Sequence, residues 1–166
     1  TDELACSYDP IFKVNPPLRT QADVMALREA LADGTIDIVA TDHAPHPAET
    51  KECEWQEASF GMLGLETALS IVNQTMVQTG LMNWAAVAER MSYAPARIGL
   101  YENQGRELIV GSPAHIAVMD PTSLFKVDRD LVASRSRNTP FHGMELPGQI
   151  VATVFNGEVV FEGGRS

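Results

Sequence analysis

Between Thr20 and Gly34 the apolar residues Val24, Leu27 and Leu31 recur every three or four positions, which predicts an amphipathic helix. Thr20 with Asp23 three residues later reads as a capping box at its start, and Gly34 supplies a left-handed stop at its end. Two short apolar runs flank this helix. Ile11-Phe12-Lys13-Val14 predicts a strand stopped by Asn15-Pro16-Pro17, because paired prolines remove two backbone donors and force extended geometry before them. Ile36 to Ala40, broken only by Asp37, has the look of a strand buried on both faces, as in a parallel sheet. The result is a strand, helix and strand ending at Thr41-Asp42-His43-Ala44-Pro45-His46.

Residues 47–60 are polar and carry no sustained period, so they predict a long loop, with Glu49, Glu52, Glu54 and Glu57 on a solvated face. From Gly64 the positions Leu65, Leu69, Val72 and Met76 keep one helical face. Asn83 can cap a second helix through Trp84, Val87 and Met91, and a third short helix is expected from near Pro95 to Gly99. Past residue 104 the period changes. His115 to Met119 reads as a strand, and Ile150 to Phe155, Asn156-Gly157 and Glu158 to Phe161 form a strong hairpin signal, since Asn-Gly accepts the positive φ angles of a type I′ turn. Two parts are therefore expected, a helix-rich portion over 1–104 and a β-rich subdomain over 105–166.

Composition narrows the possibilities. The 45% apolar content of these 166 residues can support a core, which excludes disorder as a general description. With 12 Lys and Arg against 22 Asp and Glu, the net charge of −10 would repel a phosphate backbone or an anionic membrane. No apolar run approaches a membrane span of about 20 residues, and Thr1-Asp2-Glu3-Leu4 does not open like a signal peptide. Cys6 and Cys53 are too few for a disulfide scaffold and suit a reducing compartment, so the expectation is a cytoplasmic protein. The charge is uneven, with 6 basic and 15 acidic side chains in residues 1–104 and 6 and 7 in residues 105–166.

In α/β folds, reactive groups gather at the carboxyl ends of parallel strands. Asp42 is expected at such an end, and with His43 and His46 it offers metal-ligand and proton-transfer chemistry within five residues. The plain alternative is a carboxylate capping a turn beside solvated loop histidines.

A longer pattern bears on the choice. Ala40-Thr41-Asp42-His43-Ala44-Pro45-His46, followed after four residues by Lys51, resembles the C-terminal signature of dihydroorotases in the cyclic amidohydrolase superfamily. Lys13-Val14-Asn15-Pro16-Pro17-Leu18-Arg19 resembles a second segment of that family, and Phe60-Gly61-Met62-Leu63-Gly64-Leu65-Glu66 a third. Ser136-Arg137-Asn138-Thr139-Pro140-Phe141 and the Asn156-Gly157 hairpin resemble its C-terminal end, so the likeness spans essentially the whole chain. Dihydropyrimidinases and allantoinases usually place Ser before the paired prolines and lack Ala-Pro-His after Asp-His, so Asn15 and His46 favour dihydroorotase among these relatives.

The resemblance implies an α/β fold, the C-terminal part of a (β/α)8 TIM barrel plus strands of a small β-sandwich. It also implies a zinc-dependent enzyme of pyrimidine biosynthesis that interconverts N-carbamoyl-L-aspartate and L-dihydroorotate. On this reading Asp42 ligates one of two Zn2+ ions and moves the proton, while Asn15, His46 and the Phe60-Gly61 backbone hold the substrate. Each residue has a plainer alternative: Asn15 as a turn cap, His46 as a solvated loop residue, Phe60 as core packing. His43 reads as structural, His115 and His142 as surface or packing residues, and Cys53 as a passive thiol.

The chain has no His-x-His pair, and Asp42 is the only metal ligand that the resemblance places in it. A two-zinc centre needs further donors, and a (β/α)8 barrel typically takes about 250 residues. The expectation is therefore a C-terminal segment that works with the rest of the enzyme, with a homodimer or an association with aspartate transcarbamoylase as further partners. The alternatives are a non-catalytic dihydroorotase-like scaffold and another cyclic amidohydrolase such as an allantoinase.

Overall fold

A computed structural model describes residues 1–163. Two short 3-10 turns, Asp2–Ser7 and Pro10–Phe12, open the chain. Helix α1 spans Gln21–Asp33. Its start is the expected capping box: the Asp23 backbone N–H donates to Thr20 Oγ1 at 3.3 Å, and Asp23 Oδ2 accepts from the Thr20 backbone N–H at 3.2 Å and its hydroxyl at 2.8 Å. Those bonds hold the Asp23 carboxyl below the ordinary range, the Thr20 hydroxyl first among the causes. Gly34 follows at φ 93°.

The two runs flanking α1 depart from expectation. Residues 10–12 form a 3-10 turn, and neither 11–14 nor 36–40 joins a strand ladder among the described residues. A strand is defined by a hydrogen-bonded neighbour, and here the backbone bonds go elsewhere. The Ile36 N–H donates to Ala30 O at 2.9 Å, the Val39 N–H to Arg90 O at 3.1 Å, and Lys13 O accepts from the Gly61 N–H at 3.0 Å. Hydrophobic runs alone do not reveal where those partners stand.

The polar stretch 47–60 is not wholly loop, for it holds the short helix α2, Ala48–Lys51. Helix α3 begins at Ala68, later than the pattern predicted, and covers Ala68–Val72 before continuing as a π-helical turn over Asn73–Val77. Val72 and Met76 are buried as expected, whereas Leu65 precedes the helix and is exposed. Asn83 caps α4, Trp84–Ala88, with its Oδ1 accepting from the Ala86 N–H at 2.9 Å. The third helix is not separate. A π-helical turn over Glu89–Tyr93 joins α4 directly to α5, Ala94–Ile98, which ends at Gly99.

Strands β1 (Ile116–Lys126), β2 (Glu145–Phe155) and β3 (Glu158–Glu162) form one sheet in the order β1-β2-β3. β2 and β3 are antiparallel across Asn156-Gly157, whose φ angles of 52° and 84° are those of the expected turn.

Two compact units emerge, each drawn from several stretches of chain. One joins residues 1–29, 40–69 and 126–145, with Ala58, Leu63 and Val127 in its interior. The other joins 30–39, 70–125 and 146–166, and its described interior includes Val72, Met76, Met82, Val87 and Leu146. Every candidate site residue lies in the first unit. Among the described residues, no helix is long and apolar enough to cross a membrane.

Candidate active site

Three segments of the first unit are tied side by side. The Ala44 N–H donates to Met62 O at 3.0 Å, making a parallel bridge between His43 and Met62, and the Gly61 N–H donates to Lys13 O at 3.0 Å. The segment after Asp42 and the segment after Lys13 are thereby both fastened to Phe60-Gly61-Met62.

His46, Phe60 and Gly61 come together directly. His46 Nε2 donates to the Phe60 carbonyl at 2.8 Å. Because a carbonyl can only accept, this contact requires the proton on Nε2 and, in the neutral ring, leaves Nδ1 as an acceptor. Gly61 sits at φ 129°, and a Cβ there would meet Ala44 Cβ at 2.5 Å and His46 Nε2 at 3.1 Å. Only glycine lets the backbone pass so close to the imidazole.

The Phe60 side chain does not pack in a core. It is 56% exposed, with the Lys13 ammonium 4.7 Å from its ring centroid. Its chemistry toward the site lies in its carbonyl.

Asp42 is exposed and takes a left-handed φ of 44° directly before the bridge between His43 and Met62. His43 is a support, as its place in the motif implied: its Nδ1 accepts from the Gly64 N–H at 3.1 Å and the Leu65 N–H at 3.3 Å. Asn15 is exposed two residues past Lys13, the residue whose carbonyl accepts the Gly61 N–H, and among the described hydrogen bonds it makes none to residues 60–62.

The motif lysines have a role that the sequence pattern did not disclose. Lys13 Nζ donates to Trp55 O at 2.8 Å and Gln56 O at 3.0 Å, and Lys51 Nζ donates to Lys13 O and Ser59 O, each at 3.0 Å. Both are buried and fold residues 52–60 back onto the Lys13 segment. Burial first, and then the neighbouring Lys13 ammonium, hold Lys51 below the ordinary lysine range. The glutamates of this stretch are exposed as expected.

The remaining histidines serve local packing. His115 Nδ1 accepts from the Asn156 N–H at 3.3 Å, and its ring meets Phe155 edge-on at 5.0 Å. His142 Nδ1 accepts from the Arg129 N–H at 3.1 Å.

Residues 14–160 match the amidohydrolase family. The chain belongs to that family. This amidohydrolase chain is 59% identical over 165 residues to a dihydroorotase of Streptomyces coelicolor, covering 99% of the chain and 39% of the relative. It is 51% identical over 164 residues to a dihydroorotase of Mycobacterium tuberculosis, covering 99% and 38%. Among solved structures, the L-hydantoinase (dihydropyrimidinase) of Arthrobacter aurescens matches it with a TM-score of 0.90 at 36% identity, over 99% of this chain and 37% of that one. The amidohydrolase chain thus spans under two fifths of the length of these relatives.

An amidohydrolase fold implies a metal, and this chain's donors fit that role only in part. The exposed Asp42 carboxylate has the right chemistry for one ligand. Among the described residues, however, no three His, Cys, Asp or Glu side chains converge where a metal ion could be held.

Proposed function

We propose that this chain is the C-terminal portion of a cytoplasmic dihydroorotase, in which it supplies proton transfer and substrate contacts to a zinc-dependent ring opening and closure. Residues 1–104 would contribute the last part of a (β/α)8 barrel and residues 105–166 a β-rich subdomain. The observation that carries the reading is the juxtaposition of His46, Phe60 and Gly61, with His46 Nε2 2.8 Å from Phe60 O and the Asp42 segment bridged alongside. The 59% identity to the Streptomyces dihydroorotase supports the same substrate.

Opening a cyclic amide requires water to add to the carbonyl carbon, the C–N bond to break and the ring nitrogen to gain a proton. Zinc, when bound, supplies polarisation of the amide carbonyl and a more acidic attacking water. Asp42 would take the proton from the attacking water and pass it to the departing nitrogen, and would work in reverse in ring closure. His46 presents Nδ1 as an acceptor to a substrate N–H, while the Gly61 backbone approaches the ring edge without a side chain between them. Asn15 adds an amide that can both donate and accept.

The test is turnover of L-dihydroorotate and cyclisation of N-carbamoyl-L-aspartate by the natural full-length enzyme and its Asp42→Ala variant. A loss of about 10²- to 10⁴-fold with the fold intact is expected, and undiminished activity overturns the assignment. The 0.90 TM-score to an L-hydantoinase supports a second reading, a different cyclic-amide substrate. Turnover of hydantoin or allantoin without turnover of dihydroorotate would select it.

A further inference from the structure

Asn138 lies outside every residue assigned above, yet it touches two of the three segments that form the candidate site. Its side chain is 5% exposed. Oδ1 accepts from the His46 backbone N–H at 3.3 Å, and Nδ2 donates to Ala44 O at 2.8 Å and to Gly61 O at 3.4 Å. The Asn138 carbonyl also accepts from the Leu63 N–H at 3.1 Å. One amide group thus spans the gap between the 44–46 turn and the 61–63 segment.

We propose that Asn138 is a positioning residue, which sets the separation of His46 from Gly61 and so the width of the slot that receives the substrate. The proposal rests on the reading of His46 and Gly61 as substrate contacts. Its physical basis is the direction of each bond. The two carbonyls need a donor and the His46 N–H needs an acceptor, so the planar amide fits in one orientation only. A carboxylate at the same place would keep the acceptor for the His46 N–H but turn its second oxygen, in place of Nδ2, toward both carbonyl oxygens, pushing the segments apart. The Ala44 N–H bond to Met62 O ties the two segments at one end, and among the described hydrogen bonds Asn138 is the side chain from outside them that joins the His46 backbone to Gly61.

Because these groups hold the substrate before and during reaction alike, misplacing them weakens binding more than the chemical step. The experiment is Asn138→Asp in the natural full-length enzyme, with Asn138→Ala in parallel. A displacement of about 1 Å can cost up to about 100-fold, so KM is expected to rise at least about tenfold while kcat changes by less than about threefold. Acidification should partly restore KM in the Asp variant, as a protonated carboxyl regains one donor. In a His46→Ala background the penalty of Asn138→Asp should shrink, since the group being positioned is gone.

A wild-type KM in a folded variant, or penalties that simply add, overturns the proposal. So does loss of the folded state in both variants, which would assign Asn138 to stability alone. Measuring both dihydroorotate and hydantoin separates this from the functional reading. If the wild type opens only hydantoin, the dihydroorotase reading fails while the Asn138 test proceeds on that substrate.

Discussion

The ammonium of Lys51 lies 3.0 Å from the carbonyl oxygen of Lys13, a residue whose own ammonium holds the carbonyls of Trp55 and Gln56. Two motif lysines are therefore interlocked, one fastening the other's backbone. Lys13 O also accepts the Gly61 N–H, so this clasp adjoins the candidate site.

Replacing Lys51 by Met keeps the aliphatic stem and deletes the donor to Lys13 O and Ser59 O. Lys13 O keeps the Gly61 N–H, but Ser59 O is left without its donor, at a cost of about 1 to 3 kcal/mol, and the 52–60 stretch loses one of its ties. Chemical denaturation should show a drop of that size, and limited proteolysis should cut within 52–60 faster. Unchanged stability and cleavage would mean that the clasp contributes nothing.

The pH dependence of stability has an identifiable contributor in β1. Asp120 is held down to about 2 by the Thr122 backbone N–H first, then by the Ser123 and Thr122 hydroxyls and the Ser123 N–H. Its folded value lies below the ordinary 3.8, so its stabilising effect is complete above 3.8 and is lost as pH falls from there to about 2. Asp120→Asn retains an acceptor but cannot titrate. Urea midpoints across this acidic range should fall less steeply in the variant than in the wild type, and parallel slopes would remove Asp120 as the cause.

Local chemistry was readable in the sequence wherever both partners lie within a few residues. Thr20 with Asp23, Asn83 with Ala86, and Asn156 with Gly157 each fix an element end by contacts of that kind. The runs 11–14 and 36–40 misled because an extended segment becomes a strand only through a distant neighbour, and here their described bonds go to helical turns and loops. The site was readable in part for the same reason. Motif spacing singled out His46, Phe60 and Gly61, but the bond from Asn138 to Ala44 crosses 94 positions, and no periodicity encodes a single amide at that range. Lys13 and Lys51 lay inside the motifs without any sign that their ammonium groups would be spent on carbonyls.

The hairpin turn offers a clean measure of conformational cost. Gly157 sits at φ 84° with nothing within 4 Å of where a Cβ would lie, so Gly157→Ala meets strain but no collision. A left-handed conformation costs an L-residue about 1 to 2 kcal/mol. Thermal unfolding should report a loss of that order. An unchanged melting temperature would show that the turn accepts alanine without that strain.

Gly61→Ala should behave differently, since it combines the backbone penalty with two collisions. At φ 129° the alanine is strained, and its methyl would stand 2.5 Å from Ala44 Cβ and 3.1 Å from His46 Nε2. Backbone strain of this kind costs about 1 to 3 kcal/mol. Relief would come by moving either Ala44 or the imidazole, and both displace the segments that Asn138 holds together. The His46 bond to Phe60 O at 2.8 Å would then lengthen or break. The expected result is a stability loss of about 1 to 3 kcal/mol together with a kcat/KM at least about tenfold down, on the basis that an angstrom-scale misplacement reaches 100-fold. Steady-state kinetics on the full-length enzyme, with denaturation on the same preparation, checks both. A variant as unstable as expected but with normal kcat/KM would show that the Gly61 passage serves folding and does not shape the substrate slot.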